Sequence, residues 1–453
     1  MPAGTMQGLF RFLIKAFDDL GATIPNEKLE KMAVVIYSAM SNPARNYHNL
    51  DHVFNFIEPH DPILYLAAVF HDLVYYQVDD GILPELQSLI EPYLRRENGQ
   101  FNLVNPIPGD DDCVICLIEV FGFQPGRLIT FGAGLNEFLS ALVAVQFLSG
   151  LIEDHDLFAI ILCIEATIPF RGDDDMGRGH FDVMADRLLE MRRRFPFLGT
   201  PEQIDIALKR AVLFSNQDVE TFRMKDAARF LDITFKLLPE SNVALRKRGV
   251  YTIRDYRVGL QNMQRFLNGL NPDHVFNQYK DTPSPEEYTQ MVHQAHKNLG
   301  TASRYLEIKL IAMAVLEALA GATGGDAPLS LFMGDLPRPG VEIHYMQDYL
   351  PEMAVPEFVD PNSDLLRLLS EGLSEMGFDL PYSPTSLFIF KSLTEDEQKR
   401  LFGISQELFA GKIAPEEFLG RIPPRIVRPI ARALAEMVFT RRDKLLQYAE
   451  LEG

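Results

Sequence analysis

Between Tyr47 and Tyr76 the chain reads YHNLDHVFNFIEPHDPILYLAAVFHDLVYY, and this stretch limits what the protein can fold into. The run LYLAAVF is apolar on every side, so it belongs in an interior, and it ends by delivering His71 and Asp72 there. Burying a carboxylate is costly unless a metal or another cation neutralises it. Upstream, beyond a short Pro-containing break at Glu58–Pro62, His48 and His52 stand four residues apart. That spacing predicts two imidazoles on one face of a helix, one turn apart. Neutral imidazole together with carboxylate suits Zn, Mn or Fe, with Mg accepted more readily where carboxylate and water dominate. His-Asp also occurs at His60-Asp61 and His155-Asp156, but both of these read as solvated helix starts. Only His71-Asp72 has the hydrophobic lead-in and the paired histidines.

The 453 residues, 47% of them hydrophobic, are enough for two domains or one large one with a sizeable core. With 43 basic and 63 acidic residues the net charge is −20, which repels nucleic-acid polymers and anionic membranes alike. A phosphorylated substrate would then need local cations, which bound metal would supply. Three cysteines are too few for a disulfide scaffold in a chain this long. The first residues read as an amphipathic helix rather than a leader, and no stretch approaches the roughly 18 apolar residues of a membrane span. The cytoplasm is the expected compartment.

Apolar residues recur at nearly helical spacing almost throughout, and hairpin signals of the Asn-Gly type are scarce, so the expected class is all-α. Residues 6–40 predict two helices around a Gly-Ala-Thr-Ile-Pro turn. Residues 81–133 read as an insertion with helical pieces at 84–96 and 113–122, where Cys113 and Cys116 fit a core better than a redox pair or half a zinc site. Glu137 opens a long apolar helix, either as an ordinary first-turn acid or facing a metal-bound water. Glu165 interrupts an apolar segment and needs a partner, either Arg171 or the surroundings of a metal cluster; His180 follows an acidic loop. Asp218 interrupts the stripe of Ala211, Phe214 and Phe222 on a helix over 202–222, as a helix-end hydrogen-bond partner or a ligand. Further helices are expected at 240–270, 284–297 and 301–320. A boundary near Gly340 then separates a helical domain over 1–325 from a C-terminal helical region over 341–453. That region, with helices at 394–409, 414–420 and 426–448, reads as a cap on the first domain or a homodimer contact.

Taken in order, His48, His52, His71-Asp72, Glu137 and Asp218 resemble the HD-domain metal-dependent phosphohydrolases. YHNLDHV resembles the YHN-x-x-H signature of the class I cyclic-nucleotide phosphodiesterases. FHDLVYY and NEFLSAL are similar to the matching stretches of a bacterial branch of HD phosphohydrolases, and AVLFSNQDVETF falls where that superfamily places its last metal-binding aspartate. The resemblance covers about residues 30–235 and implies an HD-domain helical core. It also implies that His52, His71, Asp72 and Asp218 hold a first metal, with Asp72 bridging to a second, mostly water-ligated one. His48 would be the general acid for the leaving alkoxide, and Glu137 would orient or deprotonate the bridging water. The implied reaction is hydrolysis of a small phosphate ester, with a cyclic nucleotide or related nucleotide diester as the first expectation.

Three departures weaken the nucleotide specificity more than the metal chemistry. Tyr76 stands where the phosphodiesterases have a further histidine, and Glu165-Ala-Thr-Ile-Pro-Phe170 where they have another after a Thr-Asp. Gln261, Gln264 and Phe266 lie near the place of a purine-clamping glutamine, at a spacing that does not match. A di-iron oxygenase on the same scaffold is the second reading; it needs extra histidines, for which His155 and His180 are available. A non-catalytic nucleotide-binding or signalling HD module is the third, and the complete ligand set argues against it.

Overall fold

Side-chain caps start several of the helices that carry the core. Thr5 Oγ1 accepts from Gly8 N at 3.1 Å and opens α1 (Met6–Asp19), whose Leu9, Phe12, Leu13, Ala16 and Phe17 are buried at helical spacing. After a short turn comes α2 (Asn26–Met40), then the short α3 (Leu50–Asn55). Asp61 Oδ1 accepts from Ile63 N at 3.0 Å, and Pro62 opens α4 (Pro62–Phe70), in which every residue from Ile63 to Phe70 is buried. At roughly 1.5–3 kcal/mol per fully buried large apolar side chain, such a helix has no stable place except a core.

The computed structural model describes residues 5–55, 61–97, 99–109, 111–335, 340, 342–373 and 383–450, the side chain of Asn55 excepted. His60 and the start of the break at Glu58–Pro62 lie outside the described residues. The chain divides into two compact units, Met1–Thr221 with Asn271–His293, and Phe222–Leu270 with Gln294–Gly453. The boundary expected over 325–341 falls inside the second unit.

The first unit continues through α5 (Pro84–Ile90), α6 (Asp112–Val120), α7 (Leu135–Leu148), α8 (Asp154–Ala166), α9 (His180–Met191) and α10 (Pro201–Asp218). Helix α8 is buried from Leu157 to Ala166 and packs against α4, α6, α7 and α10. Residues Leu86, Ile90, Phe101, Leu103 and Cys116 of the expected insertion join that same core. The helix expected over 84–96 stops at Ile90. Three short antiparallel strands follow, β1 (Leu94–Glu97), β2 (Gln100–Leu103) and β3 (Leu128–Ile129), in the order β1-β2-β3. Glu97 pairs with Gln100, and Gly99 has φ +79°. An Asn-Gly pair between two short strands is a strong hairpin signal, and it outweighs the helical period of 84–96.

The second unit comprises α11 (Ala227–Phe235), α12 (Leu237–Ser241), α13 (Ile253–Gly269), most of α14 (Pro285–Thr323), α15 (Leu329–Met333), α16 (Asp364–Glu371), α17 (Pro384–Ser392), α18 (Glu395–Phe409), α19 (Pro415–Arg421), α20 (Pro424–Met437) and α21 (Arg442–Ala449). The two helices expected at 284–297 and 301–320 are one, α14, of 39 residues. Gly300 costs only about 1 kcal/mol in a helix interior, and the buried stripe of Leu299, Ala302 and Leu306 carries straight across it. Conversely, the helix expected over 426–448 is two, with a 3₁₀ turn at Phe439–Arg441 between them. Lys309 is buried in this unit, its Nζ 3.1 Å from Ser383 Oγ and 5.3–5.6 Å from the ring centres of Tyr256, Phe235 and Tyr305. Among the described residues no helix is long and apolar enough to cross a membrane.

All three cysteines are free thiols and buried. Burial first, then the neighbouring Asp154 and Asp111, pushes the Cys113 thiol up to about 12, and burial raises Cys116 and Cys163 as well. Since the thiolate is the reactive form, the folded protein should consume a thiol-specific disulfide reagent at pH 8 far more slowly than the denatured chain. A fast phase of two thiols from the native protein would mark Cys113 and Cys116 as a reactive pair instead.

Candidate metal centre

Asn49 sets the first half of the site. Its Oδ1 accepts from the amides of Asp51 (3.0 Å) and His52 (3.2 Å), so α3 begins after His48 rather than before it. The expectation that His48 and His52 share a helix face is therefore corrected. His48 lies in a bend ahead of the helix, and the cap, not the helical period, turns it toward His52, with ring centres 5.9 Å apart. Tyr47 packs on both rings at 4.7 and 4.8 Å, and Tyr75 meets His48 edge-on at 4.6 Å.

The second half comes from the ends of α4 and α10. His71 follows the last residue of α4, and its Nδ1 lies 2.8 Å from the carbonyl of Ala68. Only a protonated Nδ1 satisfies that carbonyl, which leaves Nε2 as the ligand nitrogen. Phe214 stands edge-on to the ring, 5.8 Å between centres. Asp218 is the last residue of α10, and the neighbouring turn is fixed from Asn277, whose N–H donates to Asn216 Oδ1 (2.7 Å) and whose carbonyl accepts from Asn216 Nδ2 (2.8 Å).

These elements bring together the four side chains marked as ligands. His52, His71 and Asp218 present ligand atoms that all lie within 4.8 Å of one another and could hold a metal ion. Asp218 Oδ1 is 3.4 Å from His52 Nε2 and 3.7 Å from His71 Nε2. Asp72 Oδ2 is 2.8 Å from His71 Nε2 and 3.8 Å from His52 Nε2. Asp72 Oδ2 is buried yet makes no hydrogen bond among the described residues. A buried carboxylate oxygen crowded by ring nitrogens without hydrogen-bond geometry is what donors aimed at a shared cation look like. The donor set of two imidazole nitrogens and two carboxylates fits a divalent ion.

The charges say the same. Burial works against ionisation at both His71 and Asp72, yet Asp72 and Asp218 together hold the His71 imidazole up at about 9, and the imidazoles hold Asp72 well below the usual carboxylate range. In the metal-free protein, the proton on His71 does the work of a cation. Burial, with Asp72 and Asp218 adding to it, pushes Glu137 up to about 7, and Arg171 pulls the other way. Glu137 thus lies within electrostatic reach of the ligand carboxylates. Its position depends on Gly134 (φ +89°), where an added Cβ would come within 2.3 Å of Ile168 and 3.6 Å of Glu137 Oε2.

Several residues that hold the site were not singled out in the sequence. Arg45 donates to the carbonyls of Asp72 (2.7 Å), Leu73 (3.2 Å) and His48 (3.4 Å), and is paired with Asp79 at 2.5 Å. Both partners are almost wholly buried, at 0% and 2% side-chain exposure. From α7, Ser140 Oγ accepts from Val74 N (3.0 Å) and Asn136 Oδ1 from Tyr76 N (3.1 Å), one turn apart on either side of Glu137. The one available signal was an arginine and an aspartate just outside the two histidine stretches.

The other candidates have partners of their own. Glu165 takes the plainer of its two options. Arg171 Nη1 donates to its Oε1 at 2.5 Å, and His180 Nε2 lies 3.2 Å from its Oε2. Burial opposes ionisation, but these two partners hold Glu165 down at about 2. His155 Nδ1 is 3.2 Å from the carbonyl of Phe197, and Asp61 caps α4 and pairs with Arg210 at 2.7 Å. The Tyr76 ring packs edge-on to Phe101 at 5.0 Å. In the second unit Gln261 Oε1 accepts from Arg257 at 2.7 Å.

Measurable outcomes follow for the isolated protein. A raised His71 pKa stabilises the metal-free fold fully below about pH 6.5, and that contribution is lost as pH climbs through about 9. Metal must displace this proton, so calorimetry at pH 7.5 in buffers of differing ionisation enthalpy should show about one proton released per ion, with apparent affinity rising toward pH 9. Asp79→Ala leaves Arg45 buried and unpaired, which should cost about 3–5 kcal/mol in denaturant unfolding. It should also weaken metal binding roughly 10–100-fold.

No family model matches the chain, and neither any curated protein nor any solved structure is significantly similar to it. The case for what the site does therefore rests on these side chains.

Proposed function

We propose that the first unit is an HD-type catalytic module, a metal-dependent phosphohydrolase acting on a small phosphate ester, with a nucleotide phosphodiester as the first candidate. The observation that carries this reading is the convergence of His52, His71, Asp72 and Asp218, from three separate segments, on one small volume. Divalent metal there, one ion or two, would supply a water acidic near neutrality and positive charge for the phosphoryl oxygens. Zn, Mn, Fe and Mg all remain compatible with the donors. The three buried free thiols fit a reducing compartment such as the cytoplasm.

The chain's own groups supply the proton transfers. His48 lies beside the ligand His52, its ring next to the cluster, so its imidazole is placed to give a proton to the departing oxygen. Glu137, raised to about 7, is suited to take a proton from the attacking water near neutral pH. Bound metal would add positive charge beside it and lower that value. Asn136 and Ser140 hold the backbone after Asp72 in place while these transfers occur. The oxygenase reading gains nothing here, because among the described residues the group that could hold a metal contains neither of the histidines it would recruit, His155 and His180.

The test is metal analysis followed by assays on cyclic and linear nucleotides and on an aryl phosphodiester. Turnover should require added Mn, Mg or Fe and should vanish in the His71→Ala, Asp72→Ala double variant; undiminished turnover in that variant would end the hydrolase reading. Glu137→Gln should lower kcat about 10²–10⁴-fold and remove the acid limb of the pH profile. His48→Ala should cost as much on an alkoxide leaving group, but less than about tenfold on a nitrophenolate, which departs without a proton.

A further inference from the structure

A cavity of about 760 Å³ opens on the first unit between the end of α6 with its following loop and the end of α9. Its volume lies within the range of small-molecule sites, about 300–1,000 Å³. Ile115, Ile118, Phe123 and Met191 give it an apolar lining, and Arg187 and Arg194 stand on its α9 side. None of these residues belongs to the metal centre.

The two arginines differ. Arg194 is neutralised by Glu119, which lines the same cavity. Arg187 donates Nη1 to the carbonyl of Val120 at 2.8 Å, at the C-terminal end of α6, and no carboxylate pairs with it among the described residues. Glu190, three residues on, also lines the cavity but is exposed and makes no ion pair with Arg187. The guanidinium lies over Gly122, where an added Cβ would come within 3.1 Å of Nη1. Anchored by one nitrogen and pressed on a glycine, it keeps its remaining N–H groups without an acceptor among the described residues. A fixed, half-buried guanidinium beside apolar walls matches a planar oxyanion carried on an apolar body.

We infer that this cavity binds a small organic anion, an apolar body with a single carboxylate, sulfonate or phosphate head accepted by Arg187. The protein therefore has a second ligand site that shares no residue with its metal centre.

Anilinonaphthalene sulfonate and its uncharged counterpart N-phenylnaphthylamine serve as probes on the full chain, titrated by fluorescence. The wild type should bind the sulfonate saturably at one site. Arg187→Gln should weaken the sulfonate at least tenfold while leaving the uncharged probe within about twofold, the pattern of a lost charge-assisted contact rather than a lost cavity. Ile115→Glu, which puts a carboxylate into the lining without touching Arg187, should also weaken the sulfonate at least tenfold and decides the matter if Arg187→Gln does not fold. Equal sulfonate affinity in the wild type and a folded variant overturns the inference, and so does a wild type that takes up no probe saturably.

Discussion

The site depends on one buried cation that never touches a ligand atom. Arg45 is held by Asp79 and donates to backbone carbonyls on both histidine segments, at His48 on one side and at Asp72 and Leu73 on the other. By reaching both segments it ties them together and satisfies carbonyls that the fold turns inward. The planar fork of a guanidinium can reach several acceptors at once in fixed directions, which an ammonium cannot. The same pair accounts for how His48, outside any helix, is held in register with His52.

Around that clamp the remaining supports divide by direction. Asn49 fixes the start of α3, Asn136 and Ser140 fix the chain after Asp72, and Asn216 ties the turn beside Asp218 to the backbone of Asn277. Each is a neutral side chain bonded to backbone. Such bonds position without adding charge to a cluster that already carries two carboxylates, and they orient ligands more rigidly than a second layer of ions would.

The candidate ligands were legible in the sequence because a metal site calls for particular residue types in improbable surroundings. An aspartate that ends an all-apolar run beside a histidine, or sits on a stripe with Ala211 and Phe214, incurs a desolvation cost that a bound cation readily offsets. The supports were not legible for the opposite reason. Arg45 and Asp79 look like ordinary surface residues until the fold buries them, and nothing in the sequence shows that Asn136 accepts from the amide of Tyr76. Helix existence was likewise plain from periodicity, while its interruptions were not. Gly300 does not break α14, because the apolar stripe continues past it, whereas a hairpin with Gly99 at φ +79° ends a segment whose period reads as helical.

Charge fixes the order in which this site could work. Arg45 is spent on Asp79, so the cluster presents Asp72, Asp218 and the neighbouring Glu137 with imidazoles as their close counterweights. On a chain of net charge −20, an anionic ester meets repulsion there unless cations arrive first. His71 shows how strong that demand is, since its proton is held to about pH 9 when nothing else is bound. A metal ion replaces that proton with at least one further positive charge at the same point. On the proposed reading the same step that makes a water acidic also makes the site attractive to a phosphate, so metal binding precedes substrate binding for electrostatic reasons alone.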